Sequence, residues 1–336
     1  MKSTRLRIAV SILAFTIAAL VAVAHAQSES PQTVVKFQFG RLVLDGGESE
    51  HGWGINNKSR IVGDYTDSAG QQHPMYFKGQ PAVGPSCPGY RDTVFLAVNS
   101  ASTAVAYCYN PGGAGVVGAN PQGGPCDGVI PCAMLYDGIH YKVDPNPPCL
   151  SCPYMALAIN DPVVGPELGG LFQDPTQGLT HGYVSNLQTG EIQVLDVPGT
   201  NQQFGVQGIN NAGQATLQAS DAAGLMHSYL YSGGSYTNID VPGAMQSFAH
   251  GINNNGDIVY SVEDYNRNSW GVLFYAKLRQ FYWFNQPDGR RDQTWANGIN
   301  DEVQTRTGSK LKIVGEYSIP GSAQTIAYRA TVTIKP

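Results

Sequence analysis

Ile239-Asp240-Val241-Pro242-Gly243-Ala244, followed by Gly251-Ile252-Asn253-Asn254-Asn255-Gly256-Asp257-Ile258-Val259, is one copy of a unit that recurs along the chain. An earlier copy reads Leu195-Asp196-Val197-Pro198-Gly199-Thr200, then Gly208-Ile209-Asn210-Asn211-Ala212-Gly213. The anchoring asparagine appears six times, as Asn56, Asn99, Asn160, Asn210, Asn253 and Asn300, at intervals of 43, 61, 50, 43 and 47 residues. Each is preceded by Ile or Val, and before that by Gly or Ala. A near-constant period of about 40–50 residues is the signature of a repeat architecture.

Each unit reads as four strands. Strand one ends at the anchor, and an Asn/Gly turn such as Asn254-Asn255-Gly256 tolerates positive φ. Strand two is Ile61–Tyr65, Ile258–Val262 or Ile313–Tyr317 in different units. A second turn, Asp67-Ser68-Ala69-Gly70 or Asp221-Ala222-Ala223-Gly224, leads to strand three, as in Tyr229–Tyr231 or Gly271–Tyr275. Strand four, Tyr236–Val241, ends at Pro242, which cannot continue a ladder. Four strands in this length make a propeller blade. The last unit stops after strand three (Ala327–Val332), and the N-terminal Val34–Phe39 and Leu42–Asp45 supply the missing strand. The expected fold is all-β: a six-bladed β-propeller with four-stranded blades, its ring closed by an N-terminal strand so that no sheet edge stays open.

Lys2, Arg5 and Arg7 precede the apolar run Ile8–Val23, and Ala24-His25-Ala26 offers a small-x-small cleavage site. Residues 1–26 read as a signal peptide and 27–336 as a single propeller domain, secreted to the periplasm or the extracellular medium. No second apolar stretch approaches the ~18 residues of a membrane span, so no membrane insertion is expected after cleavage. Removing the three leader cations takes the net charge from −5 to −8, which argues against nucleic acid or anionic lipid as partner.

The pattern Gly-Ile-Asn-Asn-x-Gly-x-Ile-Val-Gly-x-Tyr, with Ile-Asp-Val-Pro-Gly-Ala and a His before an aromatic strand, resembles the HAF-type extracellular repeat of bacteria. The likeness is close in units one, four and five, partial in six and weak in two and three. It implies a secreted, propeller-like protein and carries no catalytic residues.

Departures from the repeat point to a surface. Asn110–Pro131 and Pro166–Thr180 read as insertions between strands two and three of blades two and three, and Glu302–Lys312 as one in the first turn of blade six. Loops on a rigid scaffold are common binding sites. All six cysteines, Cys87, Cys108, Cys126, Cys132, Cys149 and Cys152, fall within 87–152. An even number in an exported chain argues for three disulfides. Fifteen pairings are open, with Cys108–Cys132 across the loop base the first choice. Cys149-Leu150-Ser151-Cys152 lacks the βαβ context of a redox motif and the further ligands zinc needs.

His73, His181 and His227 take matching places before strand three. Equivalent positions in neighbouring blades stand too far apart to share a metal at about 2.0–2.1 Å, so no metal is expected, and no cofactor motif is present. Asp67, Asp221 and Asp264, the first two in Asp-x-x-Gly, suit turns better than paired glycosidase acids. Asn253-Asn254-Asn255-Gly256-Asp257 lacks calcium-loop spacing and reads as a hairpin turn. The residue three before each anchor varies: Trp53, Leu96, Leu157, Gln207, His250 and Asn297. If strand one is innermost, these stand near the channel mouth, and Trp53, Gln207, His250 and Asn297 are the candidate binding residues there. Packing between blades is the competing role. The expected function is a non-catalytic binding or structural module for an extracellular protein or glycan. The alternative is a propeller-type polysaccharide hydrolase or lyase, which requires a carboxylate beside a His or Tyr at that mouth.

Overall fold

The structure, a computed structural model, describes residues 33–44, 46–110, 132–149, 152–161, 165–174, 176–288, 293–319, 321–322 and 324–335. The expected leader, residues 1–26, Cys126, the Cys132 side chain and most of the Asn110–Pro131 segment lie outside them.

Six antiparallel sheets of four principal strands stand around one axis as a six-bladed β-propeller. The innermost strands, here strand one of each blade, are Ser49–Ile55, Asp92–Val98, Tyr154–Ile159, Gln202–Ile209, Gln246–Ile252 and Thr294–Ile299. Each is followed outward by strands two, three and four in chain order. Blade six takes its outermost strand, Val34–Leu42, from the N-terminal end, in register from Val34 opposite Lys335 to Leu42 opposite Ala327. Phe37 and Phe39 of that strand pack on Phe284, at 4.6 and 6.0 Å between ring centroids. The core is a series of layers between blades: Ile55, Ile61, Met75 and Phe77 of blade one, for instance, pack with Val314 and Ala327 of blade six.

The anchoring asparagine builds its turn and rivets the ring. Oδ1 of Asn253 accepts from the N–H groups of Asn255 and Asp257 at 3.0 and 2.9 Å, while its Nδ2 donates to the Asn300 carbonyl of the next blade at 3.1 Å. Asn210 donates likewise to the Asn253 carbonyl at 3.1 Å, and Asn56 to that of Asn99 at 2.8 Å. The Gly or Ala two residues earlier has a steric cause. A Cβ on Gly208 would stand 2.6 Å from the His250 carbonyl oxygen, and one on Gly298 2.7 Å from that of Trp53. Inner strands approach too closely there for a larger side chain.

The second turns are aspartate-capped. Oδ1 of Asp67 accepts from Ala69 and Gln71, and Asp221 and Asp264 repeat the pattern. The three histidines are the second residues of strand three and bind carboxylates within their own blades: His73 Nε2 to Asp67 at 2.9 Å, His181 Nδ1 to Asp196 at 2.6 Å, His227 Nδ1 to Asp240 at 2.6 Å.

Three expectations need correction. Strand four of blade four ends at Asn238 rather than Val241, because Asp240 leaves the ladder to hold His227 and the Ser228 N–H. Pro166–Thr180 is no insertion, since Glu167–Gln173 is strand two of blade three. Its Gly169-Gly170 pair resembles a loop, yet a Cβ on Gly170 would stand 2.0 Å from the Met155 carbonyl oxygen. Gly63 and Gly315 meet the same obstruction in blades one and six, at 1.8 and 2.0 Å. Finally, Cys108 bonds Cys87 rather than Cys132, and Cys149 bonds Cys152. Cys108 and Cys132 are cross-strand neighbours, as a bond across the loop base would need, but the loop from blade one delivers Cys87 to Cys108. In blade six, Val303–Thr305 forms a small extra hairpin with Gly308–Lys310.

Candidate functional site

Every strand one carries a register shift just before its Gly-Ile or Ala-Ile/Val step. The shift falls at Trp53, Leu96, Leu157, Gln207, His250-Gly251 and Asn297, the variable positions singled out from sequence. A bulge re-aims the extra residue out of the ladder. Five of those side chains, all but His250, line one end of the axial channel. The polar members lie on blades four, six and one, and Leu96 and Leu157 make blades two and three an apolar arc.

The channel is narrow. Ile55, Val98, Ile159, Ile209, Ile252 and Ile299 form a collar shared by its two chambers, of about 80 and 70 Å³. Ligand sites begin near 300 Å³. The far chamber is rimmed by a relay in which Asp161, Asn211, Asn254 and Asp301 each donate a backbone N–H to the next blade's side chain, at 2.8–3.0 Å.

The candidate residues at the near chamber are already engaged. Trp53 Nε1 donates to Asp64 Oδ1 at 2.6 Å, and its indole stacks on His51 at 5.8 Å. Gln207 Nε2 donates to the Phe204 carbonyl at 2.6 Å. Burial pulls the His250 imidazole down to about 4, keeping it neutral at pH 7. Asn297 Nδ2 donates to Glu316 Oε2 at 2.6 Å and to the Gly52 carbonyl at 3.0 Å, joining blades six and one.

Behind Trp53 and Asn297 lies a titratable cluster that sequence reading missed. Burial pushes the carboxyls of Glu316 and Glu50 up to about 7. Burial alone would lower the pKa of His51, but the hydrogen bond and charge of Asp64, then Glu316 and Glu50, carry it up to about 9. Asp64, 1% exposed, holds both Trp53 and His51.

The ligand-sized concavities lie between blades. One of about 330 Å³ between blades three and four is lined by His181, Asp196, Thr200 and Gln203, which bond one another or nearby backbone. The larger, about 420 Å³, lies between blades one and two. Its floor is apolar, with Val62, Val98, Ala104 and Phe95, the last only 1% exposed. Its wall is aromatic: Tyr136 stacks on Phe95 at 5.6 Å, and Tyr76 stands beside them. Arg60, Ser102 and Asp137 add polar groups, and Ile139 sits on the lip, 77% exposed. The lining belongs to first turns and a three–four turn, so the cleft opens on the face opposite the two disulfides.

At the floor blade two is smaller than both its neighbours. Ala104, opposite Val98, stands where blades one and three carry Ile61 and Leu168. Blade four also has alanine there, Ala215, so this residue alone did not mark the cleft in the sequence. Among the described residues no group of three or more His, Cys, Asp or Glu side chains converges as a metal site, and no helix is long and apolar enough to cross a membrane.

No family model and no curated protein matches the chain. Among solved structures, TolB from Acinetobacter baumannii superposes with a TM-score of 0.51 at 11% identity, over 82% of this chain and 65% of that one. A mutant of the Aleuria aurantia lectin, in complex with Fucalpha1-6GlcNAc, gives 0.49 at 10% identity, over 88% and 98%. AofleA from Arthrobotrys oligospora gives 0.48 at 9% identity, over 87% and 86%. At such identities the likeness is one of fold.

Proposed function

We propose that the chain is a secreted, non-enzymatic propeller of the HAF-type repeat kind that binds glycan in the cleft between blades one and two. The observation that carries this reading is the cleft itself: about 420 Å³, with a buried apolar floor, an aromatic wall and a few polar groups. That combination is what a sugar ring needs, with apolar ring faces stacked and hydroxyls at the rim. The two disulfides support an oxidising destination outside the cytoplasm. Calorimetric titration with neutral and acidic oligosaccharides tests it: Tyr76→Ala with Tyr136→Ala abolishes binding, while circular dichroism shows the double variant still folded at the titration temperature, with its melting temperature lowered by the lost ring packing. Undiminished binding in a folded double variant overturns the reading.

A second reading, a polysaccharide hydrolase or lyase, is favoured by one observation. Glu316, protonated near neutrality, shares a cluster with His51 at the channel end, as a general acid would require. The chamber beside it holds only about 80 Å³. Polysaccharide cleavage that Glu316→Gln abolishes would establish this reading in place of the first.

A further inference from the structure

Arg60 is the charge in the cleft that stacking alone leaves without a role. Its guanidinium has no carboxylate partner among the described residues, whereas the one carboxylate of the lining is fully occupied. Oδ1 of Asp137 accepts from Ile139 and His140 at 3.0 and 2.8 Å, and Oδ2 holds Lys142 Nζ at 2.9 Å. That ion pair with Lys142, followed by the two N–H groups, holds the Asp137 carboxyl well below the usual range. Asp137 therefore serves its own turn and leaves Arg60 uncompensated.

The guanidinium also lies near the aromatic wall. Burial, then Tyr76 and Asp137, push the Tyr136 phenol upward, and the charge of Arg60 opposes them. Neither the Tyr76 nor the Tyr136 hydroxyl makes a hydrogen bond among the described residues. A planar cation and two free phenols thus converge over a hydrophobic floor. Guanidinium matches a carboxylate through two parallel N–H···O bonds and gains strength where water is partly excluded.

We propose that this cleft selects a carboxylated pyranose, a uronic acid residue of an acidic glycan. Arg60 grips the carboxylate, Tyr136, backed by the buried Phe95, faces the ring, and Tyr76 and Ser102 meet its hydroxyls. This rests on the glycan-binding reading above and narrows it. The chain's net charge of −5 gives an acidic polymer no general attraction, so selection comes from the cleft.

The test is calorimetric titration of the full chain with four probes: oligogalacturonate, oligoglucuronate, and galactose and glucose oligomers of the same length. The wild type is expected to bind at least one uronate tenfold more tightly than its neutral counterpart. Arg60→Gln brings that ratio to within twofold by lowering uronate affinity more than neutral-sugar affinity, with the melting temperature unchanged. Equal affinity for acidic and neutral oligomers overturns the acid selection while leaving the glycan reading standing, as does a preference that survives Arg60→Gln. Failure of all four probes overturns both. Binding of an Asp/Phe-rich acidic peptide, titrated in parallel, in place of the sugars assigns the cleft to protein and overturns the proposal.

Discussion

The backbone N–H of Asp301 donates to Oδ1 of Asn57 at 2.8 Å, and Nδ2 of Asn57 donates back to Oδ2 of Asp301 at 2.7 Å. The two residues are 244 positions apart, one in the first turn of blade six and the other in that of blade one. The exchange continues the relay that runs from blade three through blade five, and carries it from blade six to blade one. The chain also links those two blades, because Val34–Leu42 of blade six leads on to Ser49–Ile55 of blade one; the ring closes inside blade six, where Val34–Leu42 pairs with Thr325–Lys335.

Two asparagines separate turn building from the relay between blades. Asn57→Ala removes exposed bonds and is expected to cost about 0.5–1.5 kcal/mol. Asn253→Ala removes a buried side chain that serves two N–H groups of its own turn and the Asn300 carbonyl, leaving those groups unpaired. Its expected cost is about 2–4 kcal/mol, read from urea denaturation. An Asn253 variant as stable as the Asn57 variant contradicts the rivet role.

Stability should fall as pH rises. Glu50 and Glu316 have folded values near 7, above the ordinary glutamate value, so their contribution is complete at acid pH and is lost as pH rises through 7. His51, raised to about 9, contributes fully below its ordinary value and loses that contribution as pH rises through 9. His250, depressed to about 4, opposes them only below its ordinary value, where acid costs stability. Above the ordinary glutamate value of 4.5 the two glutamates outweigh His250, so the melting temperature is expected to be highest near pH 4.5 and to drop by several degrees toward pH 9. Glu316→Gln flattens the slope between pH 5 and 8. A melting temperature that rises over that interval in the wild type contradicts the cluster's charge states.

Glycines divide by cause. Gly63→Ala places a Cβ 1.8 Å from the His51 carbonyl oxygen, a backbone atom that cannot step aside. We expect loss of folding, or more than about 4 kcal/mol lost. Gly213 has a φ of +71° and open space around it, so Gly213→Ala costs only the left-handed backbone, about 1–2 kcal/mol. Circular dichroism melts distinguish the two, and equal effects contradict the close inner-strand packing.

Peptide mapping under non-reducing conditions is expected to return Cys87–Cys108 and Cys149–Cys152. Cys87→Ser with Cys108→Ser opens a bond between residues 21 apart and should cost about 3 kcal/mol. Recovery of a Cys108–Cys132 peptide contradicts the structure.

The repeat made the fold legible. Its period fixed six blades, its turn residues fixed the hairpins, and the incomplete last unit pointed to the N-terminal strand that the Val34–Lys335 register provides. Strand two of blade three was hidden because Gly169-Gly170 has the composition of a loop, although the strand needs glycine there to clear a carbonyl. The variable position before each anchor was recognised, but not that it is a bulge. Periodicity finds what every blade shares. The cleft joins Arg60 and Tyr76 of blade one to Phe95 and Tyr136 of blade two, a meeting set by strand register and by which blades are neighbours, neither of which the repeat period shows.

The most direct measurement is a crystal structure of the protein soaked with an acidic oligosaccharide. The binding account predicts a sugar ring on Tyr136, with its hydroxyls toward Tyr76 and Ser102 and its carboxylate on Arg60. A ligand seated at the channel end beside Trp53 and Asn297, with the cleft between blades one and two empty, would contradict it.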